Sequence, residues 1–353
     1  MDFTTTIPIS KTSNPIDYDS RIISFGSCFA QNIGEKFSYF KFQNTVNPFG
    51  IIFNPVSIEN LISRVVNNQE FTENDIFFHN DLWHCFEVHS ELSHSDKTIF
   101  LDRLNQVLSD FHFQIFKSTH FQITYGTSWV YRNKSSNSIV ANCHKVPQSQ
   151  FDKEILSVAT IEKSIQNTID LIQKVNPNCY FIFTVSPVRH IKDGFVENQR
   201  SKAHLITAIH SSISHLPSSN YFPSYEIMMD ELRDYRFYAE DMLHPSQTAI
   251  DYIWKRFSEN YISEKNEVNL NRLKTSIKEK ENLKSALTNE IDQKGRIVEQ
   301  KEVEKVALAS KRDETQRLLL RLKEDQTAIE KEIELKTVEI INIENIRITR
   351  TLS

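Results

Sequence analysis

Two kinds of apolar pattern alternate along the chain as far as residue 261. Continuous apolar runs, such as 21–25 and 179–185, are typical of buried strands, while apolar residues at steps of three and four are typical of helices. These patterns predict further strands at 43–46, at 121–125 and near Tyr221, a small hairpin within 79–91, and helices at 29–40, from Ser57, and at 98–116, 161–175, 201–215 and 246–261. Strands separated by helices of this length indicate an α/β fold of three layers, α/β/α, with a mainly parallel central sheet.

The pattern changes after residue 262. Every Trp, Tyr, Phe, His, Cys and Pro precedes that point, and the remainder is rich in Lys, Glu, Leu and Ile. Apolar residues recur there mostly at steps of three and four, at Leu270, Leu273, Ile277, Leu283, Leu287 and Ile291 and again at Ile329, Ile333, Ile340 and Ile343. The spacing predicts a long α-helical coiled-coil extension over 263–353, after a domain over 1–262, with Gly295 as a place where a hairpin could form. The extension is either a solvated helix or an arm that joins a second copy or another protein.

Composition narrows the class of protein. The 353 residues carry a formal net charge of −5, which argues against non-specific nucleic-acid binding. The N-terminal residues lack the apolar core of a signal peptide, and no stretch is long and apolar enough for a membrane span. The four cysteines have no paired spacing, which favours free thiols in a reducing compartment. We therefore expect a cytoplasmic protein.

Two motifs fall at the carboxyl ends of predicted strands, where ligands bind in such folds. Gly26, Ser27 and Cys28 follow the first strand and precede a helix, whose dipole and free amides would make a thiol there more acidic. Asp241 and His244 precede the last helix, and their spacing lets the carboxylate hold one ring nitrogen while the other faces outward as a base. Each motif alone is more often a turn or a helix cap, but together they predict a nucleophile, a base and an orienting carboxylate.

Residues 25–30, Phe-Gly-Ser-Cys-Phe-Ala, resemble the signature of the bacterial GSCFA family. That family is similar to the SGNH or GDSL-type esterases and acyl hydrolases. Further strings that agree with the family pattern lie at 47–50, 53–55, 126–131, 142–145, 186–190, 235–238 and 241–245. The resemblance covers roughly residues 15–260 and implies an SGNH-hydrolase-like fold.

The resemblance implies catalytic roles residue by residue. The nucleophile falls on Cys28, where GDSL-type enzymes have serine, so the intermediate would be a thioester; Ser27 stays open as the rival nucleophile. Asp241 and His244 match the closing Asp-x-x-His of those enzymes. The implied activity is that of an acyl-ester or thioester hydrolase or an acyltransferase, acting on a small-molecule, carbohydrate or cell-envelope acyl group. Two alternatives stay open: a binding module of this fold without turnover, and a structural protein that acts through its helical extension.

The resemblance also implies an oxyanion hole made of the nucleophile's amide, a Gly amide and an Asn side chain. Gly50 is the candidate for the Gly, because its loop follows the predicted second strand. The string that starts at Gly126 stands where the Asn is expected and offers hydroxyl groups instead. Asn54 and Asn142 are therefore the alternatives for the amide donor.

Two histidines are further candidates for the site, and no metal or cofactor is expected. His144 lies in a string shared with the family, and His190 follows the strand at 179–185. The other clustered histidines, His84, His89 and His94, are spaced by five, which suits neither one face of a helix nor one face of a strand. The chain has no phosphate loop and no dinucleotide fingerprint.

Overall fold

The structure is a computed structural model that describes residues 5–351, with side chains described at these positions except 267, 268, 270, 271, 274 and 340–351. Its strands are β1 Arg21–Gly26, β2 Gln43–Val46, β3 Phe77–His79, β4 Leu82–His84, β5 His120–Tyr125, β6 Trp129–Asn133, β7 Ile139–Val140, β8 Phe151–Ile155, β9 Tyr180–Val185 and β10 Ser219–Phe222. Its α-helices are α1 Cys28–Tyr39, α2 Pro55–Val66, α3 Lys97–Lys117, α4 Val158–Val175, α5 Phe195–Ile213, α6 Ser224–Glu226, α7 Gln247–Tyr261 and α8 Glu264–Thr351.

Five strands form the central sheet in the order β10-β9-β5-β1-β2, and all neighbouring pairs are parallel. Because side chains alternate across a strand, the sheet buries apolar residues on both faces. Ile22 and Ile182 pack with α1 and α7 on one face, while Ile23 and Phe181 pack with α2, α3, α4 and α5 on the other. The predicted three-layer α/β/α fold with a parallel sheet is confirmed.

Two smaller antiparallel units accompany the sheet. The predicted hairpin within 79–91 is present as β3 and β4, shifted a few residues towards the N-terminus. Strands β6, β7 and β8 form a second sheet in the chain between β5 and α4, which the sequence analysis did not predict. The alternation in these short strands is weak, since β8 is mostly exposed or half-buried.

Several helices begin earlier than predicted, among them α2 and α5. Helix α2 starts at Pro55 because the Asn54 side chain caps it, accepting a hydrogen bond from the Ser57 amide at 2.9 Å. Helix α5 starts at Phe195, directly after Gly194. The first turn of α5 exposes Phe195 and Val196, so its start carries no apolar periodicity that the sequence could reveal.

Helix α8 runs from Glu264 to Thr351 without a break, so the hairpin expected at Gly295 does not form. Contacts between Cα atoms divide the chain into two units, residues 1–274 and 275–353. The proposed domain boundary at 262/263 and the coiled-coil pairing stay predictions, and the side chains of Leu270, Ile340 and Ile343 lie outside the described residues. Among the described residues, no helix is both long and apolar enough to cross a membrane.

Candidate active site

A glycine turn carries the chain from β1 into α1 at the carboxyl edge of the sheet. Gly26 has φ +136°, and a Cβ atom there would lie 2.2 Å from the Thr124 carbonyl oxygen of the neighbouring strand. Only glycine fits this close approach. The Gly26 amide donates to Asn47 Oδ1 at 2.8 Å, which ties the turn to the loop after β2. The turn brings the first residue of α1, Cys28, to the edge of the sheet.

Cys28 is half-buried at the N-terminus of α1. Burial raises the pKa of its thiol, the charge of Lys202 and the amides of Phe29 and Cys28 act to lower it, and Asp241 acts to raise it. Among the residues that the structure describes, none accepts a hydrogen bond from the Cys28 amide. That N–H therefore remains available to a carbonyl oxygen of a substrate.

Ser27 has a different environment from its neighbour. Its side chain is 1% exposed, and its Oγ accepts a hydrogen bond from the Phe29 amide at 3.2 Å as the N-cap of α1. Its own amide donates to the Thr124 carbonyl oxygen at 3.0 Å. The hydroxyl group of Ser27 thus serves the helix start, and the thiol of Cys28 is the more accessible of the two groups.

Asp241 and His244 form a hydrogen-bonded pair in the loop before α7. The distance between His244 Nδ1 and Asp241 Oδ2 is 2.5 Å, and the Leu243 and His244 amides both donate to Asp241 Oδ1. These bonds, the His244 amide first, lower the pKa of Asp241 to about 2. Because an ionised carboxylate only accepts, Nδ1 of His244 donates in this bond, and Nε2 is the ring nitrogen that the bond leaves unoccupied.

The pair lies near enough to Cys28 for the charge of Asp241 to act on its thiol. The Arg189 amide donates to the Leu243 carbonyl oxygen at 3.2 Å, which fastens the loop to the chain that follows β9. In the part of the chain that the structure describes, no hydrogen bond joins Cys28 or Ser27 to His244. Hydrogen bonds of catalytic groups are often longer before substrate binds.

Lys202 of α5 reaches the same edge, and the sequence analysis missed it. Its side chain is fully buried, and its Nζ donates to the carbonyl oxygens of Gly126 and Ser186, both at 2.7 Å. These carbonyls directly follow β5 and β9. In the sequence Lys202 stands within a predicted helix, where a lysine is usually a solvated residue, so no signal marked it.

His190 also lies at this edge. Its ring stacks on Phe53, and its Nε2 would be 3.2 Å from a Cβ atom at Gly126. Burial, with the charges of Lys202 and His244 after it, lowers the pKa of His190 to about 3, so the ring is neutral. Its Nε2 is buried without a hydrogen-bond partner among the described residues.

The two glycines expected to shape the oxyanion hole have their amides engaged. The Gly50 amide donates to the Asn47 carbonyl oxygen at 2.8 Å, and the Gly126 amide donates to the Phe53 carbonyl oxygen at 2.8 Å. The Gly50 amide is thus already paired, and a role for Gly50 as an oxyanion donor stays a prediction. Asn47, which was not a candidate, has a buried Nδ2 without a hydrogen-bond partner among the described residues. Its hydrogen bond to the turn before Cys28 makes it a candidate for the site, and this bond is seen only in the structure.

Three other candidates make contacts that serve the fold. Both amide atoms of Asn54 bond to Ser57 in the cap of α2. Asn142 accepts from the His144 amide at 2.8 Å. His144 Nε2 bonds to the Cys85 carbonyl oxygen at 2.7 Å, and burial lowers the pKa of this ring to about 4. None of these bonds involves the Cys28 turn or the Asp241 loop. Among the described residues, no group of three or more His, Cys, Asp or Glu side chains is arranged to bind a metal ion.

Comparison with known proteins shows the family of this chain. The model of the GSCFA family matches residues 21–257, about two thirds of the chain. Two proteins named as probable RuBisCO transcriptional regulators, from Thalassiosira pseudonana and Phaeodactylum tricornutum, are 89% and 88% identical over 27 and 26 residues. Those matches cover 8% and 7% of this chain and only 9% and 8% of the regulators.

One solved structure gives a low-scoring match. It is an acetyl xylan esterase, Est2A, from the rumen bacterium Butyrivibrio proteoclasticus. The match has 9% identity and a TM-score of 0.33, and it covers 75% of this chain and 66% of the esterase. No functional inference follows from a likeness of that size.

Proposed function

The chain belongs to the GSCFA family, and we propose on that premise that it is an acyl-ester or thioester hydrolase or an acyltransferase. Cys28 is the proposed nucleophile, His244 the general base and Asp241 the group that orients it. The observation that carries the proposal is the hydrogen-bonded pair of His244 and an ionised Asp241, whose charge acts on the thiol of Cys28 at the start of α1. The same three roles define nucleophilic catalysis on several unrelated folds.

The proposed reaction begins with the transfer of the Cys28 proton to His244 Nε2. The sulfur forms a bond to the acyl carbon, and the carbonyl electron pair moves to the oxygen, giving a tetrahedral intermediate. When the bond to the leaving group breaks, protonated His244 returns the proton to that group, and the acyl group stays on Cys28 as a thioester. Water or another acceptor then gives a proton to His244 and forms a bond to the acyl carbon. The bond between that carbon and sulfur breaks, the acid or the acylated acceptor leaves, and His244 returns the proton to Cys28.

The proposed oxyanion donors differ from those expected from the sequence. The Cys28 amide has no acceptor among the described residues, and Asn47 Nδ2 and His190 Nε2 are buried polar atoms with no partner there. Such orphaned groups are uncommon in folded proteins and often have a functional reason. We assign the Cys28 amide as the first donor, with Asn47 and His190 as the groups that can replace the missing Asn of the string at Gly126. Ser27 then has only a capping role.

A burst experiment tests the nucleophile. The full chain is mixed with an activated acyl ester, and the release of the leaving group in the first turnover is compared for wild type, Cys28→Ala and Cys143→Ala. Cys143 is also partly exposed and is the matched control. We expect a stoichiometric burst in wild type and Cys143→Ala and no burst in Cys28→Ala. An equal burst in wild type and Cys28→Ala would remove Cys28 from the proposal.

A binding module without turnover is the second candidate, because two observations favour it. Cys28 and His244 are not hydrogen-bonded in the described structure, and the amides of both Gly50 and Gly126 are engaged. This candidate predicts that wild type shows no burst with any activated ester while it still binds an acylated ligand. The substrate class, a carbohydrate or cell-envelope acyl group, stays a prediction, as do the bacterial source and the cytoplasmic location.

The helical extension over 263–353 is proposed as the part that joins a second copy or another protein. Leu283, Leu287 and Ile291 recur at steps of four on α8 and are 71%, 56% and 60% exposed. An exposed apolar stripe of this kind commonly pairs with another helix. Sedimentation of the full chain tests the homo-oligomer: a monomer at all concentrations would leave only a different protein as partner.

A further inference from the structure

Lys202 is a buried cation without a carboxylate partner among the residues that the structure describes. Its side chain is fully buried, and within the described residues its hydrogen bonds go to the carbonyl oxygens of Gly126 and Ser186. Burying a charge is costly unless an opposite charge or a set of hydrogen bonds compensates it. Two neutral acceptors satisfy two of the three protons of an ammonium group and leave its charge without a partner of opposite sign.

The charged and titratable groups around Lys202 come from three parts of the chain. Glu226 of α6 influences its charge, but that carboxylate accepts hydrogen bonds from Tyr221 at 2.8 and 3.0 Å and forms no ion pair with Lys202. The Tyr225 ring lies 5.5 Å from Lys202 Nζ. His190 follows β9 and is neutral. The remaining group is Cys28 at the start of α1, so the thiol is the one neighbour that gains negative charge during the proposed reaction.

The sheet places Lys202 beside that thiol. Strands β1 and β5 are neighbours, with Gly26 paired to Thr124, and the Ser27 amide donates to the Thr124 carbonyl oxygen at 3.0 Å. Gly126, whose carbonyl holds Lys202, lies two residues beyond Thr124 on the same chain. Neighbouring strands are about 4.8 Å apart. The ammonium of Lys202 and the start of α1 therefore lie at the same end of the β1–β5 pair.

We propose that Lys202 is the counter-charge of the site: a positioning residue whose buried ammonium stabilises the negative charge on Cys28 and on the carbonyl oxygen that Cys28 attacks. This inference rests on the proposed function, because it needs Cys28 to become an anion. The two carbonyls fix the ammonium at the ends of β5 and β9, and a preorganised charge in a site that excludes water acts more strongly than one in solvent.

The electrostatics of the two groups confine this role to the pH range in which Lys202 is protonated. Burial lowers the pKa of Lys202 to about 7, while Cys28 and Glu226 act to raise it. Formation of the thiolate therefore favours the ammonium, and the ammonium favours the thiolate, because coupling between two titrating groups is reciprocal. A purely structural role, in which Lys202 only satisfies two carbonyls, requires the hydrogen bonds but not the charge.

Two substitutions at Lys202, with a control at another lysine, separate the effect of its charge from that of its hydrogen bonds. Lys202→Gln keeps an amide donor for the carbonyls without a charge, and Lys202→Met removes both. Lys192→Gln is the matched control, since Lys192 is an exposed lysine whose charge acts on Cys143. The full chain is alkylated with iodoacetamide between pH 6 and 10, and the rate at each cysteine is followed by mass spectrometry. Thermal unfolding is measured in parallel.

We expect Lys202→Gln and Lys202→Met both to slow alkylation of Cys28 by about tenfold at pH 6, where the Lys202 ammonium is present in wild type. The alkylation rate of Cys143 should change only in Lys192→Gln. An unchanged rate for Cys28 at pH 6 in folded Lys202→Gln would overturn the proposal, even if Lys202→Met does not fold. Alkylation needs no acyl transfer, so the slower rate can be present when the burst of the proposed function is absent.

Discussion

The two halves of the candidate site are built in opposite ways. Cys28, Lys202 and His190 lie at the ends of buried parallel strands, and Lys202 is fully buried. Asp241 and His244 lie in a surface loop, with 46% and 49% of their side chains exposed. Burial governs the pKa values of the first group, whereas local hydrogen bonds govern that of Asp241.

Because of this difference, the two halves should respond differently to substitutions. The buried half depends on the sheet, since Gly26 and the carbonyls that hold Lys202 belong to strand ends. The exposed half depends on a few bonds within the loop and on the bond between Arg189 and Leu243. Substitutions in the loop should therefore change activity with little effect on folding, while those at the strand ends change both.

The largest effect is expected from His244→Ala. Loss of the general base should slow turnover of an activated ester by about 10²–10⁴-fold, with thermal unfolding unchanged because the side chain is half-exposed. The measurement is kcat at saturating ester. His94→Ala is the control, since His94 also precedes a helix and accepts a hydrogen bond from an aspartate amide two residues on. Equal rates for wild type and His244→Ala would exclude the loop from catalysis.

A smaller effect is expected from Asp241→Asn. The amide oxygen can still accept from the Leu243 and His244 amides, but the charged partner of His244 Nδ1 is lost. A hydrogen bond to a charged group contributes about 1.5–3 kcal/mol, so kcat should fall about ten- to hundredfold. Asp234→Asn, at another exposed aspartate that accepts from a nearby amide, should leave kcat unaltered. A loss as large as that of His244→Ala would show that Asp241 does more than orient the ring.

Ser27→Ala tests whether Ser27 serves only as the cap of α1, and the quantity measured is the stability of the fold. Loss of the N-cap hydrogen bond to Phe29 should lower the free energy of unfolding by about 1 kcal/mol and leave acylation of the chain intact. Ser157→Ala, which removes the corresponding cap of α4, is the matched control and should have a similar effect on unfolding. If only Ser27→Ala abolished acylation, the hydroxyl group would be the nucleophile.

The smallest effect is expected in the pH dependence of the stability that Asp241 contributes. The pKa of Asp241 is lowered from 3.8 to about 2 in the folded chain, so its contribution to stability is present above pH 3.8 and is lost as the pH falls towards 2. Urea unfolding of wild type and Asp241→Asn should therefore differ more at pH 5 than at pH 2. The difference should be small because the carboxylate is half-exposed. A difference that stays constant down to pH 2 would contradict the assignment.

Much of the fold could be predicted from the sequence because its signals are local. The apolar run at 21–25 and the glycine that follows it predict a strand, a tight turn and a helix, and all three are present. The three strands β6, β7 and β8 were missed because they are short and their alternation is weak. The hairpin that Gly295 could have allowed is not formed, since one glycine in a helix costs only about 1 kcal/mol.

The site could be predicted only in part, for a physical reason. Cys28, Asp241 and His244 stand in short motifs whose neighbours fix their geometry. The role of Lys202 depends on carbonyls 76 and 16 residues away, which no local pattern reveals. Gly50 could be placed in its loop from the sequence, but whether its amide was free depended on the turn closed by Asn47.

The central claim is that an acyl group is transferred to the thiol at the start of α1. The full chain is incubated with an activated acyl ester, quenched in acid and digested, and the peptide that contains Ser27 and Cys28 is sequenced by mass spectrometry before and after neutral hydroxylamine. We predict a single acyl adduct on Cys28 that hydroxylamine removes, as expected for a thioester. An adduct on Ser27, or an unmodified peptide from a chain that turns the ester over, would contradict it.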